Sequence, residues 1–171
     1  MRNDLAKLVV LIFVAAEFQS VVAAQNLPRG WRRANKTEAS ETWRDKSPTR
    51  FLAAKGDFDG DGKPDVAEFL INPTRKRWAL FVELGSASNW QRVGDENEMQ
   101  WLGGMGIKLV KPGKYATACG KGYGEEFCAH GEPKFLRLST DAIDLFKEGS
   151  ADSIAYWDQK RNTFRFIDMS D

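Results

Sequence analysis

Apolar and polar residues alternate in two neighbouring segments near the middle of the chain. In residues 66–71 and again in residues 77–84, every second side chain belongs to an apolar set. Successive side chains of a β-strand point to opposite faces of the sheet, so a period of two predicts strands. Asn72 and Pro73 supply a turn between the two segments. The pattern therefore predicts an antiparallel meander.

The same reading extends to most of the remaining chain. An aromatic-rich hairpin is predicted over residues 153–168, and short helices are predicted over 37–44 and 139–147. The second helix would be capped by Ser139-Thr140-Asp141 and ended by Gly149. The predicted fold class is α+β, a single domain of mainly antiparallel β-sheet with one or two short helices. Further strands are predicted over residues 50–55, 90–93, 99–102, 106–110 and 134–138.

The first 24 residues have the order of a secretory signal peptide. Basic residues precede an apolar run over residues 8–16, and Val22-Ala23-Ala24 forms a small-residue cleavage site before Gln25. The apolar run is far shorter than the roughly 20 residues that span a bilayer. We expect cleavage after Ala24 and export of residues 25–171, either to the periplasm or to the medium.

The charge of the chain is close to balanced. It contains 25 basic and 24 acidic residues, and its formal net charge is +1. Loss of the leader would remove two residues of each sign and leave that value unchanged. Because the signs are interspersed, the sequence gives no electrostatic reason to expect nucleic-acid or membrane binding. Residues 25–171 are enough for one domain with a hydrophobic core.

A single acidic loop carries the clearest chemical signal. The sequence Gly56-Asp57-Phe58-Asp59-Gly60-Asp61-Gly62-Lys63-Pro64-Asp65 places aspartates between residues that let the backbone curl. Ca²⁺ takes six to eight oxygen ligands, which such a loop can supply. Mg²⁺ is less favoured because it prefers water-rich octahedral sites, and an acidic turn without an ion would leave its carboxylates repelling one another. The predicted ligands of Ca²⁺ are the carboxylates of Asp57, Asp59, Asp61 and Asp65 and the carbonyl of Lys63.

The spacing fits two structural frameworks. In an EF-hand, Glu68 would be the bidentate twelfth ligand. An EF-hand needs a helix on each side, however, and the flanking segments 50–55 and 66–71 favour short strands instead. In the strand framework Glu68 belongs to the sheet, and its role as a ligand is doubtful.

The only two cysteines, Cys119 and Cys128, flank a glycine-rich segment. In an exported protein, an isolated pair of this kind is expected to form a disulfide. The stapled segment 119–128 would then be either a stabilised loop or a rigid loop that Tyr123 helps to present to a partner.

The chain resembles a group of small bacterial exported proteins described as VCBS or FG-GAP repeat-containing. The resemblance is carried by the leader, the loop at 57–65, the segment 111–123 and Tyr156-Trp157-Asp158. It implies a calcium loop between two antiparallel strands and implies no activity. Large FG-GAP proteins form β-propellers from many repeats, whereas this chain has one repeat and no internal period, so it is not predicted to be a propeller.

No catalytic motif is found in the sequence. There is one histidine, no G-x-S-x-G and no H-E-x-x-H, and the adjacent acids Glu125 and Glu126 are typical of a solvated loop. We therefore expect a non-catalytic, calcium-binding accessory or binding domain, with a protein or glycan as its partner. The alternatives are an inhibitor or immunity-type protein that presents segment 119–128 and, less favoured, a hydrolase.

Overall fold

The computed structural model describes residues 27–87, 89–124, 126–128 and 131–170. The predicted leader lies outside these residues. The helical segments are the α-helix α1 (Ala118–Lys121) and three 3₁₀ turns at Thr42–Lys46, Met99–Gly104 and Glu126–Cys128. The strands are β1 (Arg32–Arg33), β2 (Ala53–Gly56), β3 (Asp65–Asn72), β4 (Arg77–Glu83), β5 (Trp90–Glu98), β6 (Met105–Val110), β7 (Gly113–Ala116), β8 (Phe135–Leu138), β9 (Ala142–Lys147), β10 (Asp152–Asp158) and β11 (Thr163–Ser170).

The first sheet is built around β3. Strand β4 pairs along one edge of β3 and continues to β5, while β1 and β2 share the other edge. All of these pairings are antiparallel. The predicted meander over residues 66–84 is therefore confirmed.

The second sheet has the strand order β11-β10-β9-β6, and β7 pairs with β8 in a separate hairpin. These pairings are antiparallel as well. In the predicted aromatic hairpin, Trp157 lies opposite Phe164, and their ring centroids are 5.1 Å apart. Antiparallel sheets with a few short helices match the predicted α+β, mainly antiparallel fold class, which is confirmed.

The main hydrophobic core lies between the two sheets. It includes Phe69 and Val82 from the first sheet and Ile107, Ile143 and Ala155 from the second. Because a strand directs alternate side chains to one face, the alternation in the sequence supplies this shared layer. The sheets are also joined through the backbone, where the amide of Ile107 donates to the carbonyl of Phe51 at 2.8 Å.

The second sheet is covered on its outer face too. Leu136 and Leu138 of the β7–β8 hairpin pack against Ile154, Ile167 and Met169 in a separate apolar cluster. Strand β9, in the middle of this sheet, is therefore buried on both faces. This double burial places a charged side chain of β9 in an apolar environment.

Two predicted elements are wrong in type. Residues 139–147 do not form a helix, because β9 pairs with both β6 and β10, and this pairing outweighs the local helical pattern. Residues 99–102 belong to a 3₁₀ turn rather than a strand. The helix predicted over 37–44 is displaced, since turns occupy residues 36–39 and the 3₁₀ turn begins at Thr42.

Candidate metal centre

The acidic loop connects β2 to β3. Gly56 and Asp65 form the last residue pair of this hairpin, and residues 57–64 span the gap between them. Both flanks are strands, so the described structure excludes the EF-hand framework for this loop. Glu68 lies within β3, and its carboxylate accepts a hydrogen bond from Nε of Arg33 at 2.8 Å.

Three of the predicted ligands converge. Asp57, Asp59 and Asp61 each offer a carboxylate oxygen, and these oxygens all lie within 4.8 Å of one another. Asp57 and Asp59 are partly buried, whereas Asp61 is exposed. The sequence predicted that alternating aspartates on a curled loop would face a common point, and the positions of these three agree with that prediction.

Backbone amides of the loop hold these carboxylates in place. Asp57 accepts from the amide of Gly60 at 2.9 Å through Oδ1 and from that of Gly62 at 3.0 Å through Oδ2. Asp59 accepts from the amide of Asp61 at 3.1 Å, and Asp61 accepts from that of Lys63 at 2.8 Å. Gly60 and Gly62 have φ values of +81° and +82°, a region that favours glycine.

Asp65 has a different environment. It is fully buried, and its two oxygens accept from the amides of Phe58 at 2.6 Å and Gly85 at 2.8 Å. Burial raises the pKa of its carboxyl, an effect that these two hydrogen bonds oppose. Asp65 is not part of the three-carboxylate group. Its carboxylate instead ties the base of the loop to the amides of Phe58 and Gly85, and its role as a metal ligand stays a prediction.

The Lys63 side chain is exposed, and its Nζ lies 3.9 Å from Oδ2 of Asp61. This ammonium group partly balances the charge of the cluster from the solvent side. The predicted contribution of Lys63 is its carbonyl oxygen, and that contribution also stays a prediction.

The segment that precedes β9 anchors the loop, although the sequence predicted that it would cap a helix. The amide of Asp57 donates to Oδ2 of Asp141 at 3.1 Å, and the amide of Asp141 donates to the carbonyl of Asp57 at 3.1 Å. Thr140 donates its hydroxyl to the carbonyl of Phe58 at 3.0 Å, and the Phe58 side chain is fully buried. The sequence predicted that residues 139–141 cap a helix. Thr140 and Asp141 bond to the acidic loop instead.

The second predicted site is the stapled segment. Cys119 and Cys128 form a disulfide with their Cα atoms 5.1 Å apart, as predicted. The segment also contains α1, whose first turn is capped by Thr117 as it accepts from the amide of Gly120 at 3.1 Å. Tyr123 is 49% exposed beyond this helix. Glu125 lies outside the described residues, and Glu126 is exposed.

Within the part of the chain that the structure describes, no helix has the length and apolar character needed to cross a membrane. No protein-family model, curated protein sequence or solved structure matches the chain. Three carboxylates that converge on an exposed loop make an all-oxygen donor set, which suits a hard divalent cation.

Proposed function

We propose that this protein is an exported, non-catalytic accessory domain of the VCBS or FG-GAP type, in which Ca²⁺ stabilises the fold. The observation that carries the proposal is the convergence of Asp57, Asp59 and Asp61 within 4.8 Å on the loop between β2 and β3. The strand–loop–strand arrangement is also the one that the family resemblance implies.

The donor set supports calcium over other cations. It consists of carboxylate oxygens, which hard cations prefer, and the described part of the loop supplies no sulfur or imidazole ligand for a softer metal. Ca²⁺ accepts irregular geometry and high coordination numbers, so the carbonyl of Lys63 and the carboxylate of Asp65 could complete the ligand set with water. Mg²⁺ would demand a more regular octahedron.

A bound ion would act on more than its own loop. The Asp57 carboxylate accepts two amide hydrogen bonds from the loop. The Asp57 backbone also forms two hydrogen bonds with Asp141, which directly precedes β9 of the other sheet. Fixing the Asp57 carboxylate would therefore also fix the contact between the two sheets. We infer that calcium binding stabilises the folded state of the whole domain, because the unfolded chain lacks this arrangement of ligands.

Export fits the cysteine chemistry. A disulfide persists in oxidising compartments such as the periplasm or the extracellular medium. The bond between Cys119 and Cys128 is compatible with such a location, and the predicted leader would provide the route.

Isothermal titration of the chelator-treated protein with CaCl₂ tests the proposal. We expect one calcium ion per chain and much weaker binding of Mg²⁺. Asp59→Asn removes one ligand charge without changing the size of the side chain, and it should weaken calcium binding at least about tenfold.

The matched control is Asp95→Asn, which removes the same charge from an exposed position on β5. It should leave calcium affinity within about twofold of the original. An absence of calcium heat in the unsubstituted protein, or equal losses in the two variants, would refute a specific site at the acidic loop.

A further inference from the structure

A groove runs along the outer face of the second sheet. It consists of two adjoining clefts of about 520 Å³ and 570 Å³, which share Lys108, Lys121 and Asp152. We call this feature the lysine groove. Lys108 belongs to β6 and Asp152 begins β10, whereas Lys121 ends α1, which lies between β7 and β8. The groove therefore lies where the segment between β7 and β8 meets the second sheet.

The groove contains a buried carboxylate with an unused oxygen. Asp144 of β9 lines the first cleft and is only 5% exposed. Its Oδ2 lies 3.0 Å from Nζ of Lys108, whereas its Oδ1 accepts no hydrogen bond from the described residues. Burial raises the pKa of this carboxyl, as expected for a group with too few donors. Buried polar atoms in proteins are nearly always paired, so an unpaired one indicates an absent partner.

Lys121 and Asp152 line the same cleft as Asp144. Lys121 uses one N–H to donate to the carbonyl of Met169 at 2.6 Å and forms no ion pair with a described carboxylate. An ammonium group has three N–H donors, so Lys121 retains donors for a ligand. Asp152 is occupied by Ser170, whose hydroxyl bonds to its carboxylate and accepts from its amide at 3.1 Å.

Apolar side chains form part of the wall of each cleft. Ile154, Met169 and Tyr115 line the first cleft, and Phe51 and Phe146 line the second. The hydroxyl of Tyr115 already donates to the carbonyl of Lys111 at 2.7 Å, so its contribution to the cleft is mainly its ring. The two clefts thus combine apolar and aromatic side chains with polar ones, and the second cleft is lined mainly by polar residues. This mixed lining suits a ligand that itself carries both polar and apolar groups.

We propose that the lysine groove binds a short neutral carbohydrate chain, with one sugar residue in each cleft. The clefts are lined by four lysines (Lys108, Lys111, Lys121 and Lys147) and three acidic residues (Asp144, Asp152 and Glu148), and Lys111 is also paired with Asp141 at 3.3 Å. The charges are therefore close to balanced, which favours a ligand without net charge. A pair of neighbouring sugar hydroxyls can accept from Lys121 and donate to the Asp144 carboxylate, because each hydroxyl is both donor and acceptor. Since Oδ1 of Asp144 is itself buried, this contact requires the side chain to turn toward the cleft. The C–H faces of the sugars would cover the apolar walls.

The shape of the groove favours a chain over a single sugar. Each cleft exceeds the lower end of the volumes typical of small-molecule sites, and the shared polar residues lie between the two. A disaccharide can fill both clefts, whereas a monosaccharide can fill only one. The acidic loop at 57–65 lines neither cleft, so this proposal does not depend on calcium binding.

Titration of the ¹⁵N-labelled full chain with neutral disaccharides tests the proposal. The probes are maltose, cellobiose, lactose and N,N′-diacetylchitobiose, with glucose, glucuronate and alanine for comparison. We expect at least one disaccharide to shift the amide signals of Lys121, Asp144 and Ile154, with a dissociation constant on the order of millimolar. That disaccharide should bind more tightly than glucose.

Variants separate the groove from other surfaces. Asp144→Asn and Lys121→Met should each weaken disaccharide binding at least about tenfold, whereas Lys55→Met, an exposed site on β2, should leave it unchanged. Lys121 is exposed, so its variant tests the proposal even if Asp144→Asn lowers stability. The proposal is overturned if no disaccharide shifts these signals, if glucuronate or alanine binds more tightly than every disaccharide, or if Lys55→Met weakens binding as much as Lys121→Met.

Discussion

Asp144 shows how the environment of a single residue changes its chemistry. Its carboxylate is paired with Lys108, yet the burial of Asp144 outweighs that ion pair and raises the pKa of the carboxyl. Lys121 acts in the same direction as Lys108, and Asp152 acts against both. An ionised Asp144 is therefore held in the folded chain at a cost.

The sign of this effect predicts a pH dependence of stability. A carboxyl whose pKa is raised on folding binds its proton more tightly in the folded state, so it stabilises most at acidic pH. That stabilisation is lost as the pH rises from the ordinary aspartate pKa of about 3.9 through the raised value in the folded chain. Asp144→Asn should abolish this loss and gain stability relative to the original protein across that interval.

Urea unfolding at several pH values between about 3.5 and 7 measures the difference. Asp168→Asn is a matched control, since Asp168 is a partly buried aspartate of the same sheet whose carboxylate accepts from the hydroxyl of Ser153 at 2.6 Å. If Asp144→Asn loses stability relative to the original protein as the pH rises, the ion pair with Lys108 outweighs burial and the account of Asp144 is wrong.

Arg44 is a residue whose role the sequence did not reveal. It is fully buried, and its guanidinium donates to the carbonyls of Leu102 at 2.6 Å, Met105 at 2.8 Å and Arg50 at 3.0 Å. Desolvation lowers its pKa. An arginine among polar residues is expected at the surface, and its burial here depends on backbone positions some 60 residues away, which no local pattern encodes.

Among the elements, the acidic loop and the segment that precedes β9 form one unit. A Cβ atom at Gly60 would lie 2.6 Å from Cγ2 of Thr140, whereas one at Gly62 would meet nothing within 4 Å. Both glycines have nearly the same positive φ. Thr140 cannot rotate away freely, because its hydroxyl donates to the carbonyl of Phe58.

This geometry predicts different costs for two similar substitutions. Gly62→Ala should destabilise the folded state by about 1–2 kcal/mol through backbone strain alone. Gly60→Ala should cost more, because it adds the clash with Thr140. Thr140→Ser, made together with Gly60→Ala, should recover the additional loss, because it removes Cγ2 and keeps the hydroxyl. Chemical unfolding in the presence of chelator measures all four proteins. Equal costs for Gly60→Ala and Gly62→Ala would contradict the contact between the loop and Thr140.

The type of most elements could be predicted where apolar residues alternate with a period of two. This pattern located β3, β4 and the β10–β11 hairpin because each has a face in the core between the sheets. It failed at β9, where Ile143, Leu145 and Phe146 also fit a helix. The alternation of Ile143, Asp144 and Leu145 is too short to stand out there, because apolar residues also occupy positions 142 and 146. The burial of Asp144 is set by long-range packing.

The candidate site was predicted unevenly for the same reason. Asp57, Asp59 and Asp61 are close in sequence, so their spacing on a curled loop was enough to predict their convergence. The anchoring by Asp141 and the amide contacts of Asp65 join residues that are distant in sequence or on another strand. Those contacts depend on how the two sheets pack, which alternation alone does not specify.

At the scale of the molecule, the described residues form two packed sheets and the separate β7–β8 hairpin, and the disulfide lies in the segment that connects β7 to β8. Closing the loop between Cys119 and Cys128, which are nine positions apart, should stabilise the folded state by about 2–3 kcal/mol in the chain-entropy model. Cys119→Ala/Cys128→Ala should lower the stability by this amount.

Unfolding with and without reductant checks the effect of the disulfide. Reductant should lower the stability of the original protein and leave the double alanine variant unchanged. Thiol titration of the unfolded, unreduced protein should detect no free thiol, and the detection of two thiols would refute the bond.

The central claim is that calcium stabilises the entire domain through the acidic loop. Its most direct test is the melting temperature of the original protein and of Asp59→Ala, each in excess CaCl₂ and in excess chelator. Ca²⁺ at about a hundred times its dissociation constant should stabilise by about 2.7 kcal/mol and raise the melting temperature of the original protein by several degrees. Asp59→Ala should remain folded and lose most of that shift, while Glu68→Gln should keep it. A melting temperature that is the same in calcium and in chelator would contradict the account.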